Sequence, residues 1–475
     1  MLKRLISKLK KPAPDDQALI IARSDHSVSR TQISENALKV LYRLKKSNFE
    51  AHLVGGGVRD ILLGQEPKDF DVVTDASPEQ VHQLFRNSRL IGRRFRLVHV
   101  VYGRDVIEVA TFRGHHDNAK GKQQSHKSDS GMLLRDNVYG NIDEDAVRRD
   151  FTVNALYYDI SDYSVHSYAG GIDDIKKKRL RLIGDPETRY REDPVRMLRA
   201  VRFAAKLDFK IDAKSANPIA ELAPLLQDIP AARLFEEVLK LFMAGYAAKT
   251  FELLEKHNLF AQLFPQTQEC INDNPFYRKI VEHALQNSDT RVAQGKTLTP
   301  AFLYAAFLWP CLLETAKLIQ AQGMPAGPAM NQAASEVISN QQAITSVPKR
   351  FMIPMREIWD LQRRLEKRLP KQLTSIIGHA RFRAAYDFVL LREQAGEHLN
   401  DAGIWWTEYQ KEHPDALYVP RERPRYKSRD NRSRDNRPGD NRSGGRGKSF
   451  GSGDRRPPRE TRDDDGPHRI SRPKD

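Results

Sequence analysis

Three consecutive glycines, Gly55, Gly56 and Gly57, constrain the fold of this chain more than any other feature, because they lie between a β-rich run and a helical run. The spacing of apolar residues predicts a strand entering the glycines and a helix leaving them. Glycines at such a turn let backbone N–H groups approach a phosphate, and the helix start adds positive potential. Arg59, one turn into the helix, can reach the same anion. The turn is not a dinucleotide fingerprint, because Asp60 occupies the position of that motif's third glycine. It is not a Walker loop either, since no Gly-Lys-Ser/Thr follows.

Two aspartates, Asp69 and Asp71, follow in a short β-like run. Alternate residues of a strand share a face, so we expect both carboxylates on one side and Phe70 in the core. Two such carboxylates repel each other unless a cation lies between them, and their hard oxygens suit Mg²⁺. The alternative is a surface strand with two solvated acids. Beside a phosphate-binding turn, the pair indicates phosphoryl or nucleotidyl transfer.

A third carboxylate, Glu108, lies in the second of two β-rich runs, 97–101 and 106–111, which are predicted to form a hairpin. If this strand pairs beside the aspartate run, Glu108 joins the site; otherwise it is an ordinary exposed strand residue. The polar stretch 115–135 is predicted to be a loop.

A basic pair, Arg148 and Arg149, precedes Asp150 and an apolar stretch that is predicted to open a helix. The arginines could hold a triphosphate, and Asp150 could bond ribose hydroxyls or support metal ions. A structural salt bridge is the alternative.

Asp193 and Pro194 are typical of a helix start, with an N-cap acid before a proline at the first helical position. Arg196 and Arg199, three residues apart, share a helix face. A carboxylate and a guanidinium together match the N6 donor and N1 acceptor of adenine. The alternative is a capped helix with a solvated basic face.

The net charge of the 475-residue chain is +16, which points to a polyanionic partner, nucleic acid first and an anionic membrane second. Residues 421–475 hold 18 basic and 10 acidic side chains, half of the surplus, in a low-complexity Arg-rich stretch. We expect this tail to be disordered and to contact RNA; a solubilising extension is the alternative.

The first twelve residues are basic with one apolar helical face, which allows either a frayed end or weak peripheral membrane contact. No apolar run is long enough to predict a membrane-spanning helix. The two cysteines, Cys270 and Cys311, cannot form a disulfide framework and fit a reducing compartment.

These segments, in this order, resemble the class II nucleotidyltransferase superfamily, which comprises bacterial poly(A) polymerases and CCA-adding enzymes. The blocks that carry the resemblance are 53–60, 68–71, 148–155 and 192–196, and the block 90–100 resembles that of the polyadenylating members.

The resemblance implies an α/β nucleotidyltransferase head with a small mixed sheet and helices, followed by an all-α neck, body and leg and a disordered basic C-terminal tail. The predicted divisions are a flexible basic N-terminal segment 1–30, a head 31–168, a neck 169–245, a body and leg 246–418 and the tail 419–475.

The resemblance also implies residue roles. Asp69 and Asp71 would hold two Mg²⁺ ions, and either Glu108, favoured by topology, or Asp150, favoured by the family pattern, would be the third catalytic acid. The nucleotide-binding residues would be Gly55, Gly56, Arg59, Arg149, Asp193, Arg196 and Arg199, of which the last three would select the base.

The predicted function is template-independent transfer of AMP from ATP to RNA 3′ ends with release of pyrophosphate, in the bacterial cytoplasm. RNA-degradation or RNA-chaperone proteins are possible partners. Two alternatives stay open: a CCA-adding tRNA nucleotidyltransferase, and an RNA-binding protein with an inactive head.

Overall fold

The computed structural model describes residues 18–92, 95–114, 125–127 and 133–418. The predictions for the N-terminal stretch 1–17, for Arg93 and Arg94 and for the tail from residue 419 onward therefore lie outside the described residues.

The N-terminal part is built on a mixed β-sheet. Its strands and the two of an adjoining hairpin are β1 (Leu19–Ile21), β2 (Ala51–Val54), β3 (Asp71–Thr74), β4 (Ser88–Ile91), β5 (Leu97–Tyr102), β6 (Asp105–Thr111), β7 (Ser125–Lys127), β8 (Leu133–Asp136), β9 (Leu156–Asp159) and β10 (Val165–Ser167). Within the described ranges the main sheet has the order β1-β10-β9-β2-β3-β6-β5-β4. β3 and β6 run parallel, and the other neighbours run antiparallel.

The hairpin predicted from the two β-rich runs is confirmed, since β5 and β6 pair up to Tyr102 and Asp105. Burial alternates along β6, where Ile107 and Val109 face the core while Glu108 is exposed. The prediction of a loop throughout 115–135 is wrong where β7 and β8 form an antiparallel pair.

Helices cover the sheet and make up most of the chain after it. They are α1 (Glu35–Lys46), α2 (Gly56–Leu62), α3 (Pro78–Leu84), α4 (Ile142–Arg148), α5 (Gly171–Lys176), α6 (Pro186–Glu192), α7 (Val195–Leu207), α8 (Ala213–Ala216), α9 (Ile219–Leu222), α10 (Ala231–Phe242), α11 (Ala247–Lys256), α12 (Phe260–Leu263), α13 (Pro265–Asp273), α14 (Pro275–Ala293), α15 (Pro300–Ala321), α16 (Ala326–Ile344), α17 (Lys349–Lys367), α18 (Leu373–Ile377), α19 (Phe382–Gln394) and α20 (Ala402–Glu412). A short parallel pair, β11 (Arg179–Leu180) and β12 (Lys210–Ile211), lies between α5 and α8. The region expected to form an all-α neck, body and leg is helical but for the pair of β11 and β12.

One helix start predicted from the sequence is wrong, and a second, that of α7 at Val195, is confirmed without its predicted N-cap. The stretch beginning at Arg148 does not open a helix; α4 ends there, and a 3₁₀ turn and β9 follow. Asp193 does not cap α7 with its side chain, because it ends α6 and its carboxylate binds Arg233 instead. In both places tertiary contacts determine the local backbone more strongly than the capping pattern does.

The sheet also extends into the segment 1–30, which was expected to be flexible. β1 pairs with β10 at the sheet edge, with Leu19 opposite Ser167. Here the described part of the segment, from residue 18, belongs to the head.

A continuous apolar core joins the head to the helical body, running from Phe151 through α7 to α19. At its centre α15 is long and apolar enough to cross a membrane by length and composition, contrary to the expectation that no run qualifies. Two thirds of its most apolar window (67%) is buried inside the body, which is the pattern of a core helix.

Candidate active site

The glycine turn lies next to two segments of the head, the one that contains Asp69 and the one that contains Arg149. Gly55 has a φ of 75°, a conformation that residues with a Cβ rarely adopt. A side-chain carbon at Gly57 would lie 3.4 Å from the carbonyl oxygen of Asp69, and one at Gly55 would lie 3.6 Å from Nη1 of Arg149. The strand and the helix predicted on either side of the glycines, β2 and α2, are confirmed.

The parallel pairing of β3 with β6 places Asp71 directly opposite Glu108. Both residues are exposed. The site built by Asp69, Asp71 and Glu108, hereafter the carboxylate site, therefore includes Glu108 as the topological argument expected. Asp69 lies two residues before β3, so the prediction that both aspartates share one strand is wrong for Asp69.

Like charges dominate the carboxylate site. Desolvation by the surrounding protein, followed by the negative charge of Glu108, raises the pKa of Asp71 to about 6. Asp69 adds to this effect, while Arg149 and Arg199 oppose it. Glu108 also lies 3.1 Å from Nε2 of His99.

Oxygen ligands that repel one another are the donor set that a hard divalent cation accepts, so the carboxylate site fits Mg²⁺ by chemistry. Among the residues that the structure describes, no three His, Cys, Asp or Glu side chains converge closely enough to form a complete metal site.

Arg59, which we expected to reach an anion at the glycine turn, is buried and bonded to protein groups. Its side chain is 2% exposed, donates to Asp60 and to Oδ1 of Asn154 at 2.5 Å, and lies over the Phe203 ring of α7. Asp60 in turn accepts a bond from Lys206 at 2.9 Å. Arg59 thus ties the glycine helix to α7.

Arg149 is held at the glycine turn by two partners. Its Nε lies 3.1 Å from Asp145 and 2.8 Å from the hydroxyl of Tyr157. Tyr157 also donates to Asp145 at 2.7 Å. The guanidinium is fixed beside Gly55, where it can meet an anion at the turn.

The carboxylate of Asp150 accepts hydrogen bonds from Arg199, Asn154 and the Phe151 N–H. Burial works against its charge, but Arg199 together with bonds from Asn154 and the Phe151 N–H holds the pKa of Asp150 well below its usual range. The Nε of Arg199 lies 2.8 Å from Oδ2 of Asp150. The two were predicted in separate roles, as third acid and base selector, and the structure brings them together in one ion pair.

The pair proposed to select the base, Asp193 and Arg196, has protein partners as well. Asp193 accepts from Arg233 at 2.9 Å. Arg196 donates to Glu192 at 3.1 Å and to the carbonyl of Arg189 at 2.6 Å. Both side chains are therefore fixed in place at the junction of α6 and α7.

The sequence analysis did not identify Arg202, which follows Arg196 and Arg199 at the same spacing of three residues. In the described part of the chain it makes no hydrogen bond or ion pair, its Nε is buried without a partner, and its guanidinium lies 4.7 Å from the Phe203 ring centre. Burial, followed by the charge of Arg199, lowers the pKa of Arg202 to about 10. The three-residue spacing was the signal that could have identified it.

Three guanidinium groups, from Arg59, Arg199 and Arg202, thus surround the Phe203 ring at 4.7 to 5.3 Å. This arginine cluster lies between the head and α7. Of its members, only Arg202 has no anionic or carbonyl partner among the described residues.

Comparison with known proteins decides the family. Residues 51–181 match the poly A polymerase head domain, 208–271 match a probable RNA- and SrmB-binding site of polymerase A, and 322–441 match the polymerase A arginine-rich C-terminus. The chain is 50% identical to poly(A) polymerase I of Escherichia coli O157:H7 over 421 residues, 87% of this chain and 90% of that protein. The chain belongs to the poly(A) polymerase I family.

Other relatives agree with this placement. Poly(A) polymerase I of Haemophilus influenzae is 47% identical over 82% of this chain and 88% of its own length. A CCA-adding enzyme of Lactobacillus helveticus is 38% identical, but over only 46% of this chain and 52% of its own. The chain is therefore a nucleotidyltransferase, a polynucleotide adenylyltransferase of the poly(A) polymerase I type.

The fold prediction is confirmed by solved structures. The CCA-adding enzyme of Bacillus stearothermophilus in complex with CTP has a TM-score of 0.51 at 24% identity and covers 80% of this chain and 83% of its own. That of Thermotoga maritima in complex with tRNA_CCA has a TM-score of 0.55 at 18% identity, with 83% and 86% covered. At these identities the likeness is one of fold.

Proposed function

We propose that this poly(A) polymerase I family member extends RNA 3′ ends with AMP from ATP, without a template and with release of pyrophosphate, and that the reaction takes place at the carboxylate site. The observation that carries the proposal is the register of β3 and β6, which brings Asp71 and Glu108 side by side next to the glycine turn. Family membership supports the adenylyl transfer, and the geometry supports its location.

Asp69 and Asp71 would hold two Mg²⁺ ions, with Glu108 as the third carboxylate. Bound there, the ions would supply Lewis-acid activation of the RNA 3′-hydroxyl and charge neutralisation on the triphosphate. Glu108 is preferred to Asp150 because its carboxylate lies beside Asp71, while Asp150 is bonded to Arg199 and Asn154.

The positive groups around the turn would bind the nucleotide. Arg149 lies at Gly55, and Arg202, whose guanidinium has no ion-pair partner within the described ranges, would add a further phosphate contact. Asp193 and Arg196 would read the base edge as a rigid donor–acceptor pair, since Arg233 and Glu192 hold them in place. Gly56 would supply its backbone N–H, and Arg59 would support the turn through Asp60 and Asn154 instead of meeting phosphate directly.

RNA would be bound by the helical neck and body and by the Arg-rich tail, and the enzyme would act in the bacterial cytoplasm. The match of residues 208–271 to a probable RNA-binding site supports the first assignment. Partners among RNA-degradation or RNA-chaperone proteins are proposed on the same match.

An incorporation assay tests the proposal. One oligo(A) primer is incubated with Mg²⁺ and labelled ATP alone, and a tRNA ending without its CCA is incubated with CTP and ATP. We expect long extension of the primer with ATP alone. Addition limited to CCA on the tRNA would contradict poly(A) synthesis and favour a CCA-adding enzyme, and no incorporation in either reaction would indicate an inactive head.

The variant Asp71→Asn localises the activity, and Glu66→Gln is its matched control. Glu66 is an exposed acid in the connection between α2 and β3, before Asp71 begins the strand. We expect Asp71→Asn to abolish incorporation and Glu66→Gln to leave it unchanged.

A further inference from the structure

The helical body contains a cavity of about 660 Å³, separate from the head. Its walls come mainly from the second half of α14, the beginning of α15 with the loop before it, the first half of α17 and the whole length of α19. None of the residues assigned to nucleotide transfer lines it.

The cavity is open to solvent at Arg350 and is large enough for a small ligand. Pockets that hold small ligands or single nucleotides span about 300 to 1,000 Å³. The body cavity falls within this range.

The lining combines apolar and aromatic surface with positive charge. Phe302 and Phe351 are half-buried aromatic residues in the wall, and Asn287 and Ser288 add polar groups. The charged lining residues are four arginines, Arg291, Arg350, Arg381 and Arg383, against one acid, Asp387.

Most of these charges are already paired. Asp387 binds Arg383 at 3.1 Å and lies 3.8 Å from Arg291, and Arg381 binds Glu357 at 3.0 Å. Arg350 differs from the other three. It is exposed, its guanidinium lies 4.9 Å from the Phe351 ring centre, and it makes no hydrogen bond or ion pair with any part of the chain that the structure describes.

An unpaired guanidinium stacked on an aromatic ring at the edge of an apolar cavity offers a phosphate contact next to a surface for a flat apolar group. A nucleotide has both a phosphate and a flat group, since its base has a π-face and its sugar carries a phosphate close to that base. A purely lipidic ligand would not use the polar groups of Asn287 and Ser288.

We propose that the body cavity receives one unstacked nucleotide of the RNA upstream of its 3′ end, with the base against Phe302 and Phe351 and a phosphate on Arg350. This inference rests on the proposed function in that RNA is the substrate being extended. It adds a contact that anchors the RNA on the body while its 3′ end lies in the head.

Binding of fluorescein-labelled oligo(A) to the full-length protein, measured by anisotropy over a range of salt concentrations, tests the inference. Arg350→Ala should raise Kd several-fold and reduce the log–log salt slope by about 0.7, the value for one phosphate contact on a single strand. Phe351→Leu should raise Kd about fivefold or more, as loss of base stacking does, with an unchanged slope. On saturating primer, kcat for AMP incorporation should stay unchanged in both.

Lys349→Ala is the matched control, because Lys349 is an exposed cation next to Arg350 that does not line the cavity. We expect its effect on Kd to be clearly smaller. Equal effects of Lys349→Ala and Arg350→Ala would show a diffuse basic surface and overturn the cavity assignment. Arg350 is exposed, so its variant remains informative even if Phe351→Leu destabilises the body.

Free AMP is the second probe and separates a free nucleotide from RNA. If AMP binds the cavity in an Arg350-dependent way while both variants bind oligo(A) normally, the RNA assignment is wrong. If the unaltered protein incorporates no AMP but both cavity variants weaken oligo(A) binding, the proposed function fails and the cavity proposal stands. If it incorporates AMP and both variants bind like the parent, the cavity proposal alone fails.

Discussion

The carboxylate site lies in the head, and the arginine cluster lies between the head and α7. Both contain ionisable residues that the sequence singled out, yet their electrostatics are opposite. In the carboxylate site Asp71 and Glu108 lie side by side and exposed, and the pKa of Asp71 is raised to about 6. At the arginine cluster Asp150 is paired with Arg199, and its pKa is held well below the usual range. The exposed, mutually repelling carboxylates of Asp71 and Glu108 are suited to binding a cation. The carboxylate of Asp150, by contrast, is already paired with a guanidinium and links the head to α7.

The largest effect is expected from Asp71→Asn. Loss of a carboxylate that would hold the metal ions should reduce kcat for AMP incorporation by at least about 10²–10³-fold, the usual cost of removing one electrostatic stabiliser of the transition state. Oligo(A) affinity and thermal stability should stay close to those of the parent. Near-normal turnover with Mg²⁺ would remove the carboxylate site from the mechanism, and Asp69→Asn provides an independent test of the same assignment.

The next effect is expected from Asp150→Asn, which breaks the pair with Arg199. Removing one partner of a fully buried pair costs about 3–5 kcal/mol. Because the Arg199 side chain is 34% exposed, we expect a smaller loss of about 2 kcal/mol in the free energy of unfolding, measured by urea denaturation. A variant as stable as the parent but catalytically dead would instead favour Asp150 as the third catalytic acid, and Glu108→Gln is the comparison that decides between them.

The two regions should also differ in the pH dependence of stability. The folded pKa of Asp71 is raised from 3.8 to about 6, so between these values the folded state binds more protons and its stability decreases as pH rises. We expect about 1 kcal/mol from Asp71, after allowance for its exposure to solvent. Urea unfolding without metal at pH 4 and pH 7 measures this, and Asp71→Asn should reduce the decrease by that amount.

The contribution of Asp150 to stability depends on pH in the opposite direction. Its folded pKa is depressed, so its contribution is complete above the ordinary pKa and is lost as pH falls through the folded pKa. Asp150→Asn should therefore leave the change between pH 4 and pH 7 nearly unaltered. An equal response of the two variants in this window would show that the contrast between the regions is wrong.

Base selection gives a smaller effect. Arg196→Ala should lower kcat/KM for ATP and narrow the ratio of ATP to GTP with unchanged Mg²⁺ dependence, because the guanidinium that meets the adenine edge is removed. Arg202→Ala should slow all nucleotides about equally if it meets phosphate. The measurement is kcat/KM for four nucleotides on one oligo(A) primer. Unchanged nucleotide ratios in Arg196→Ala would place base selection elsewhere.

The smallest effect per residue is expected from the tail. Deletion of 421–475 removes half of the net charge and should weaken RNA binding, and it should lower the log–log salt slope by about 0.7 for each RNA phosphate that the tail neutralises. AMP incorporation on saturating primer should persist. A slope equal to that of the full-length protein would show that the tail does not contact RNA.

Much of the site could be predicted because it depends on local chemistry. The glycine turn between β2 and α2, the hairpin of β5 and β6, and the exposed position of Glu108 all follow from periodicity and from the conformations that glycine allows. The end of α4 at Arg148 and the missing side-chain cap at Asp193 could not be predicted in this way. At Asp193 a distant group, Arg233, binds the carboxylate that would have capped α7.

The sequence alone determined the family, the order of a sheet-based head and a helical body, and the residue types that carry the chemistry, because motifs and periodicities are properties of short segments. Only the tertiary structure decided which charges meet. It placed Glu108 beside Asp71 through a parallel pairing across more than thirty residues, buried Arg59 in the interior, joined Asp150 to Arg199, and left Arg202 and Arg350 unpaired among the described residues. Pairing and burial depend on elements far apart in the chain, and they set the pKa and the availability of each group.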